Sequence, residues 1–82
     1  MDHIARTSQQ LSSVLKSLRQ LRQAAQGEVA SRVGLRQKTI SLIEADVSRT
    51  SVGTLFRLLS ALDVELVLRD KRKSNAKPEV EW

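Results

Sequence analysis

One glycine, Gly34, divides the stretch AQGEVASRVGLRQKTISLIEA, residues 25–45, into two short amphipathic segments. Glycine takes the left-handed conformation at a helix C-terminus without a Cβ penalty, so it ends one helix and lets the chain turn sharply into the next. The spacing predicts a helix over about 26–33, with Val29, Ala30 and Val33 inward, and another over about 37–45, with Ile40 and Ile43 inward and Leu42 only partly covered. Leu35 falls between them as a buried plug. The second segment opens on Arg36, Gln37 and Lys38, three long hydrogen-bonding side chains that the pattern leaves exposed.

The flanking segments carry the rest of the apolar surface. Upstream, Leu11, Val14, Leu15, Leu18 and Leu21 recur on one helical face, with Lys16, Ser17, Arg19 and Arg22 around the remainder and Ser8 as the N-cap. Downstream, residues 46–51 are polar and turn-like, and Thr50 or Ser51 caps a fourth helix reaching about Leu62. Its stripe is Val52, Leu55, Phe56, Leu59 and Leu62, widened by Leu58, and Phe56 reads as the core anchor. After Asp63 the period changes. Val64, Leu66 and Leu68 share one face at period two, with Glu65 and Arg69 on the other, which reads as a strand over about 64–69. A lone strand leaves its backbone groups unpaired, and pairing with the same strand of a second copy across a two-fold axis satisfies them. The alternative is a continuation of the fourth helix. Residues 1–7 read as a flexible arm, 8–69 as the domain with its dimerisation strand, and 70–82 as a disordered polar tail.

With 82 residues the chain has room for one small domain, which is marginal alone. There is no cysteine and the only histidine is His3, so disulfide and cysteine–zinc staples are excluded, no metal or cofactor is expected, and dimerisation is the leading source of extra stability. The formal net charge of +5 suits a polyanion such as nucleic acid, or plain solubility. No apolar run approaches the roughly 18 residues of a membrane span. The N-terminus MDHIARTSQQ lacks the apolar centre of a signal peptide, and a soluble, cytoplasmic protein is expected. No activated nucleophile, paired histidine and carboxylate, phosphate-cradling glycine loop or metal spacing occurs, so an enzyme is not expected.

Two short helices joined by a three- to four-residue turn containing glycine form a helix-turn-helix unit. On DNA, the first helix of such a unit lies across the backbone with its N-terminal amides towards a phosphate, and the second sets its N-terminal residues in the major groove. Gln37 suits bidentate bonding to adenine, and Arg36 or Lys38 the acceptors of guanine. Any helical pair with a glycine turn has a similar pattern, and polar residues at a helix start are commonly just solvated.

The run from Leu11 to Leu62 resembles the lambda repressor/Cro-type helix-turn-helix family, on Arg19, then AQGEVASRVGL, then TISLIE. The resemblance implies an all-α, lambda-repressor-like bundle of four to five helices. It places Gln26 at the start of the second helix against a phosphate, with Thr39 and Arg49 as further phosphate contacts. Ala30 is the small residue at the helix crossing. Arg36, Gln37, Lys38 and Ser41 face the bases, and Arg19 and Glu44 form a structural ion pair beneath the site. Over its whole length the chain resembles the HipB-type antitoxins, through the strand-like ALDVELVLRD and a polar tail ending in Glu81 and Trp82. That resemblance implies a homodimer paired through Val64, Leu66 and Leu68 on a palindromic double-stranded DNA operator. It also implies repression of its own operon and neutralisation of a HipA-type serine/threonine kinase toxin, with Trp82 as a toxin contact. The alternative is a stand-alone phage- or plasmid-type repressor. Three departures stand out: Gln23 occupies a position where the family often has glycine, Ala25 one where it often has a serine or threonine cap, and Gly27 sits in the first turn of the second helix.

Overall fold

A computed structural model describes residues 2–72 of the chain. They form four α-helices and one 3₁₀ turn: α1 (Ser8–Leu21), α2 (Gln26–Arg32), α3 (Gln37–Ala45), the 3₁₀ turn (Val47–Arg49) and α4 (Val52–Ala61). Leu15 of α1, Val29 and Ala30 of α2, Ile40 and Ile43 of α3, Val47, and Leu58, Leu59 and Leu62 meet in one core. Leu11, Leu18, Leu35, Leu55 and Val64 pack around it. Met1 and residues 73–82 lie outside the described residues, so the expected toxin contact Trp82 and most of the tail fall there.

Two of the four helix starts, those of α1 and α4, carry a side-chain cap. Thr7, not Ser8, caps α1: its Oγ1 accepts from the Gln10 N–H at 3.0 Å, which draws Ser8 into the first turn. Ser51 caps α4 through the Thr54 N–H at 3.1 Å. Ala25 precedes α2 with no side-chain oxygen to offer. Only the return half of a capping box exists there, the Glu28 carboxylate accepting from the Ala25 N–H at 3.3 Å.

Three of the four helices end in the same way. At each of three C-termini a residue takes the left-handed conformation: Gln23 (φ 55°) after α1, Gly34 (φ 70°) after α2 and Asp63 (φ 59°) after α4. The next amide then turns back to a carbonyl five residues earlier. Ala24 bonds to Arg19 at 3.3 Å, Leu35 to Ala30 at 2.9 Å and Val64 to Leu59 at 3.0 Å. This satisfies orphan carbonyls and tucks a following apolar residue under the helix. Aspartate tolerates the conformation through its short polar side chain, but glutamine has no such relief. Gln23→Gly is therefore expected to stabilise the domain by about 0.5–1 kcal/mol, a rise readable in thermal unfolding.

Three expectations are corrected. Phe56 is not the core anchor: it is 49% exposed. The buried face of α4 centres on Leu55, Leu58, Leu59 and Leu62, and Phe56 projects about 110° round the helix from it at 100° per residue. Val52, in the first turn of α4, and Leu21, at the last position of α1, are exposed as well. Residues 46–51 are more than a polar turn, because Val47 is buried and its N–H donates to the buried Ser12 Oγ at 2.8 Å.

Among the described residues there is no strand. The left-handed Asp63 closes α4, so the chain does not continue as helix beyond Leu62. Residues 64–70 run without regular secondary structure. The expected ladder needs a second copy, and its pairing is a property of two chains.

Candidate nucleic-acid interface

Helix α3 divides cleanly between core and solvent. Ile40 and Ile43 are fully buried and Thr39 is half-buried. Gln37, Lys38, Ser41, Leu42 and Ala45 are exposed, and so is Arg36 at the N-cap. The four expected base-contacting residues, Arg36, Gln37, Lys38 and Ser41, thus stand together at the outer, N-terminal part of one helix. Gln37 also lies over the first turn of α2, since a Cβ placed on Gly27 would sit 3.4 Å from its Oε1, ordinary contact distance.

The helix is held at this angle by a polar knot. Arg19 Nε donates to Glu44 Oε2 at 2.6 Å and Nη2 to Oε1 at 3.1 Å, a two-pronged pair with side chains 13% and 5% exposed. Gln26 Nε2 donates to the same Oε1 at 3.1 Å, and Arg19 Nη1 to the Ala24 carbonyl at 2.9 Å. One carboxylate therefore ties α1, α2 and α3 together, and the expected Arg19–Glu44 pair is present. The hydrogen bond to Glu44 holds the Arg19 guanidinium above its usual pKa, against the opposing effect of burial, and the carboxylate charge adds to the rise. Among the described residues no buried side-chain nitrogen or oxygen lacks a partner.

Three more arginines close helix ends, a use that charge counting does not reveal. Arg57 Nη2, from α4, donates to the Val33 and Gly34 carbonyls at the turn between α2 and α3. Arg22 Nε donates to the Leu62 carbonyl at 2.9 Å, and Arg32 Nη1 to that of Ala61 at 3.3 Å. Cations suit the negative ends of helices. The basic surplus is thus partly spent inside the fold, while Arg36 and Lys38 stay exposed on α3.

The expected phosphate contacts lie on three elements: Gln26 on α2, Thr39 on α3 and Arg49 in the 3₁₀ turn. Thr39 is half-buried at the start of α3, and Arg49 is exposed in the 3₁₀ turn. Nearby, the Ser48 hydroxyl and then its N–H hold the Asp46 carboxyl below the usual carboxylate range, with slight burial opposing and the Arg49 charge assisting. Gln26 engages Glu44 with one of its two amide hydrogens. Among the described residues no three histidine, cysteine or acidic side chains are grouped to hold a metal ion, and no helix is long and apolar enough to cross a membrane.

The helix-turn-helix family model matches residues 15–69, and the chain belongs to that family. Within it the chain is a member of the HipB antitoxin family: it is 37% identical over 70 residues to antitoxin HipB of Escherichia coli, spanning 85% of this chain and 72% of that protein. Antitoxin HigA1 of Mycobacterium tuberculosis is 41% identical over 64 residues, but the match spans 43% of that longer protein. Among solved structures, a HipA–HipB–O2–O3 complex contains a chain that superposes with a TM-score of 0.82 at 30% identity, covering 87% of this chain and 100% of that one.

Proposed function

We propose that this chain is the antitoxin of a HipBA-like toxin–antitoxin module. It binds a palindromic DNA operator as a homodimer, represses its own operon, and neutralises a HipA-type serine/threonine kinase. It works in the cytoplasm by binding, not by catalysis. The observation that carries this is the outward set Arg36, Gln37, Lys38 and Ser41 on a helix fixed from behind by Glu44. Such a helix drops its N-terminal residues into the major groove, and a two-fold pair reads successive grooves about 34 Å apart. Gln37 bonds an adenine, and Arg36 and Lys38 reach guanine acceptors. Gln26, Thr39 and Arg49 lie against phosphates and set the register. The membership in the HipB family, and the presence of HipA in a complex with a similar chain, support the kinase partner.

Gln37→Ala tests the base contact. Specific binding is expected to weaken by about 1–3 kcal/mol while binding to random duplex stays nearly unchanged. Titration of both duplexes at one fixed salt concentration measures it, and equal loss on both removes Gln37 from base reading. Co-purification with the product of a neighbouring kinase gene tests the partner. A chain that represses its operon yet captures no kinase is a stand-alone repressor.

A further inference from the structure

The outer face of α3 is not uniformly polar. At 100° per residue, Gln37, Ser41, Ala45, Lys38 and Leu42 follow one another across an arc of about 140°. All five are exposed, while Thr39, Ile43, Ile40 and Glu44 fill the opposite side. Leu42 is 57% exposed and lies one turn beyond Lys38. The other two large apolar residues of α3, Ile40 and Ile43, are fully buried, so Leu42 contributes to the presented surface and not to the core.

We infer that Leu42 is a specificity-determining residue that reads the 5-methyl group of a thymine in the major groove. This rests on the DNA-binding function proposed above and adds a base identity to it. Among the groups displayed in the major groove, the thymine methyl is the apolar one; the rest are donors and acceptors. A leucine side chain has neither, so against any other base edge it strips water from a polar group and returns no hydrogen bond. Against thymine it buries a methyl on a methyl. Four residues at 1.5 Å rise put Leu42 about 6 Å along the helix from Lys38. The thymine it reads therefore falls within about two base-pair steps of the base Lys38 reaches, at roughly 3.4 Å per step.

The test uses the full chain and a duplex that it selects from a random-sequence library. Each thymine of the selected half-site is replaced in turn by deoxyuridine, which keeps every hydrogen-bonding group and loses only the methyl. Wild type is expected to bind about three- to fivefold more weakly at one such position, the scale of one buried methyl. Leu42→Ala is expected to bind the thymine and deoxyuridine duplexes equally, with an unfolding temperature matching wild type. A methyl response that persists in full in Leu42→Ala, or the lack of any responsive thymine, overturns the inference while leaving operator binding intact. If Leu42→Ala keeps the methyl response but loses kinase capture, the leucine belongs to a protein contact and the inference is wrong. Failure to select any duplex removes the DNA-binding function itself, and the role of Leu42 with it.

Discussion

Replacing Arg19 with alanine is expected to destabilise the domain by about 3–5 kcal/mol, the usual effect of breaking one partner out of a buried ion pair. Each kcal/mol moves the melting temperature of a domain this size by roughly 4–8 °C, so the variant should be largely unfolded where wild type is intact. The reason lies in what remains. Glu44, with a side chain 5% exposed, would keep a single donor, Gln26 Nε2. The link between α1 and α2 would also lose the bond from Arg19 to the Ala24 carbonyl. Loss of a favourable attraction is the smaller part; an uncompensated carboxylate in a low dielectric is the larger. That distinction is measurable. Arg19→Met combined with Glu44→Leu removes both charges, and the pair of changes is expected to recover most of the lost stability, because apolar replacement of a buried pair is often neutral. Far-UV circular dichroism melts of the three proteins decide it. A single variant that melts within a degree or two of wild type would show that the knot does not hold α3 in place.

Periodicity carries the helix count, the glycine turn and the inward faces of α2 and α3, because those depend on side chains three and four positions apart. The ion pair beneath the site was legible only through the family resemblance, since Arg19 and Glu44 lie 25 positions apart and nothing local links them. The same distance hid the helix-closing arginines. Arg22 reaches across 40 positions to Leu62, and Arg57 across 24 to Val33, partners that exist only once the bundle has formed. Gln23 and Asp63 gave no sign of left-handed backbone because neither is glycine. The departure at Gln23 is visible in the sequence, and the positive φ accounts for the family's glycine at that position. Phe56 misled because a broad apolar stripe on α4 spans more than one face. A periodic reading identifies the stripe but not which part of it the core covers.

That uncovered part leads to the second large effect, on dimerisation. Phe56, Leu59, Val64 and Leu66 line one open groove of about 400 Å³ between α4 and the segment that follows it. Leu66, Val67 and Leu68 are 46%, 69% and 90% exposed, a costly sequence to leave in water in a chain this small. A second copy that pairs residues 64–69 across a two-fold axis would satisfy the strand's backbone groups and bring apolar side chains over the groove. Proline tests this without touching the core, because it removes a backbone donor and has no place in a paired ladder. Successive amides along a strand point to opposite sides, so of Val67→Pro and Leu68→Pro one must remove a donor that faces the partner. That variant is expected to sediment as a single chain with unchanged helix content. Its operator affinity should fall by about 10²–10⁴, since the two half-sites are then bound separately without the effective concentration that linkage supplies. The other variant is expected to fall much less, and this asymmetry separates loss of pairing from general damage to the segment. If both proline variants remain dimeric and bind the operator as wild type does, residues 64–69 do not join the two copies. The groove beside Phe56 then needs another explanation.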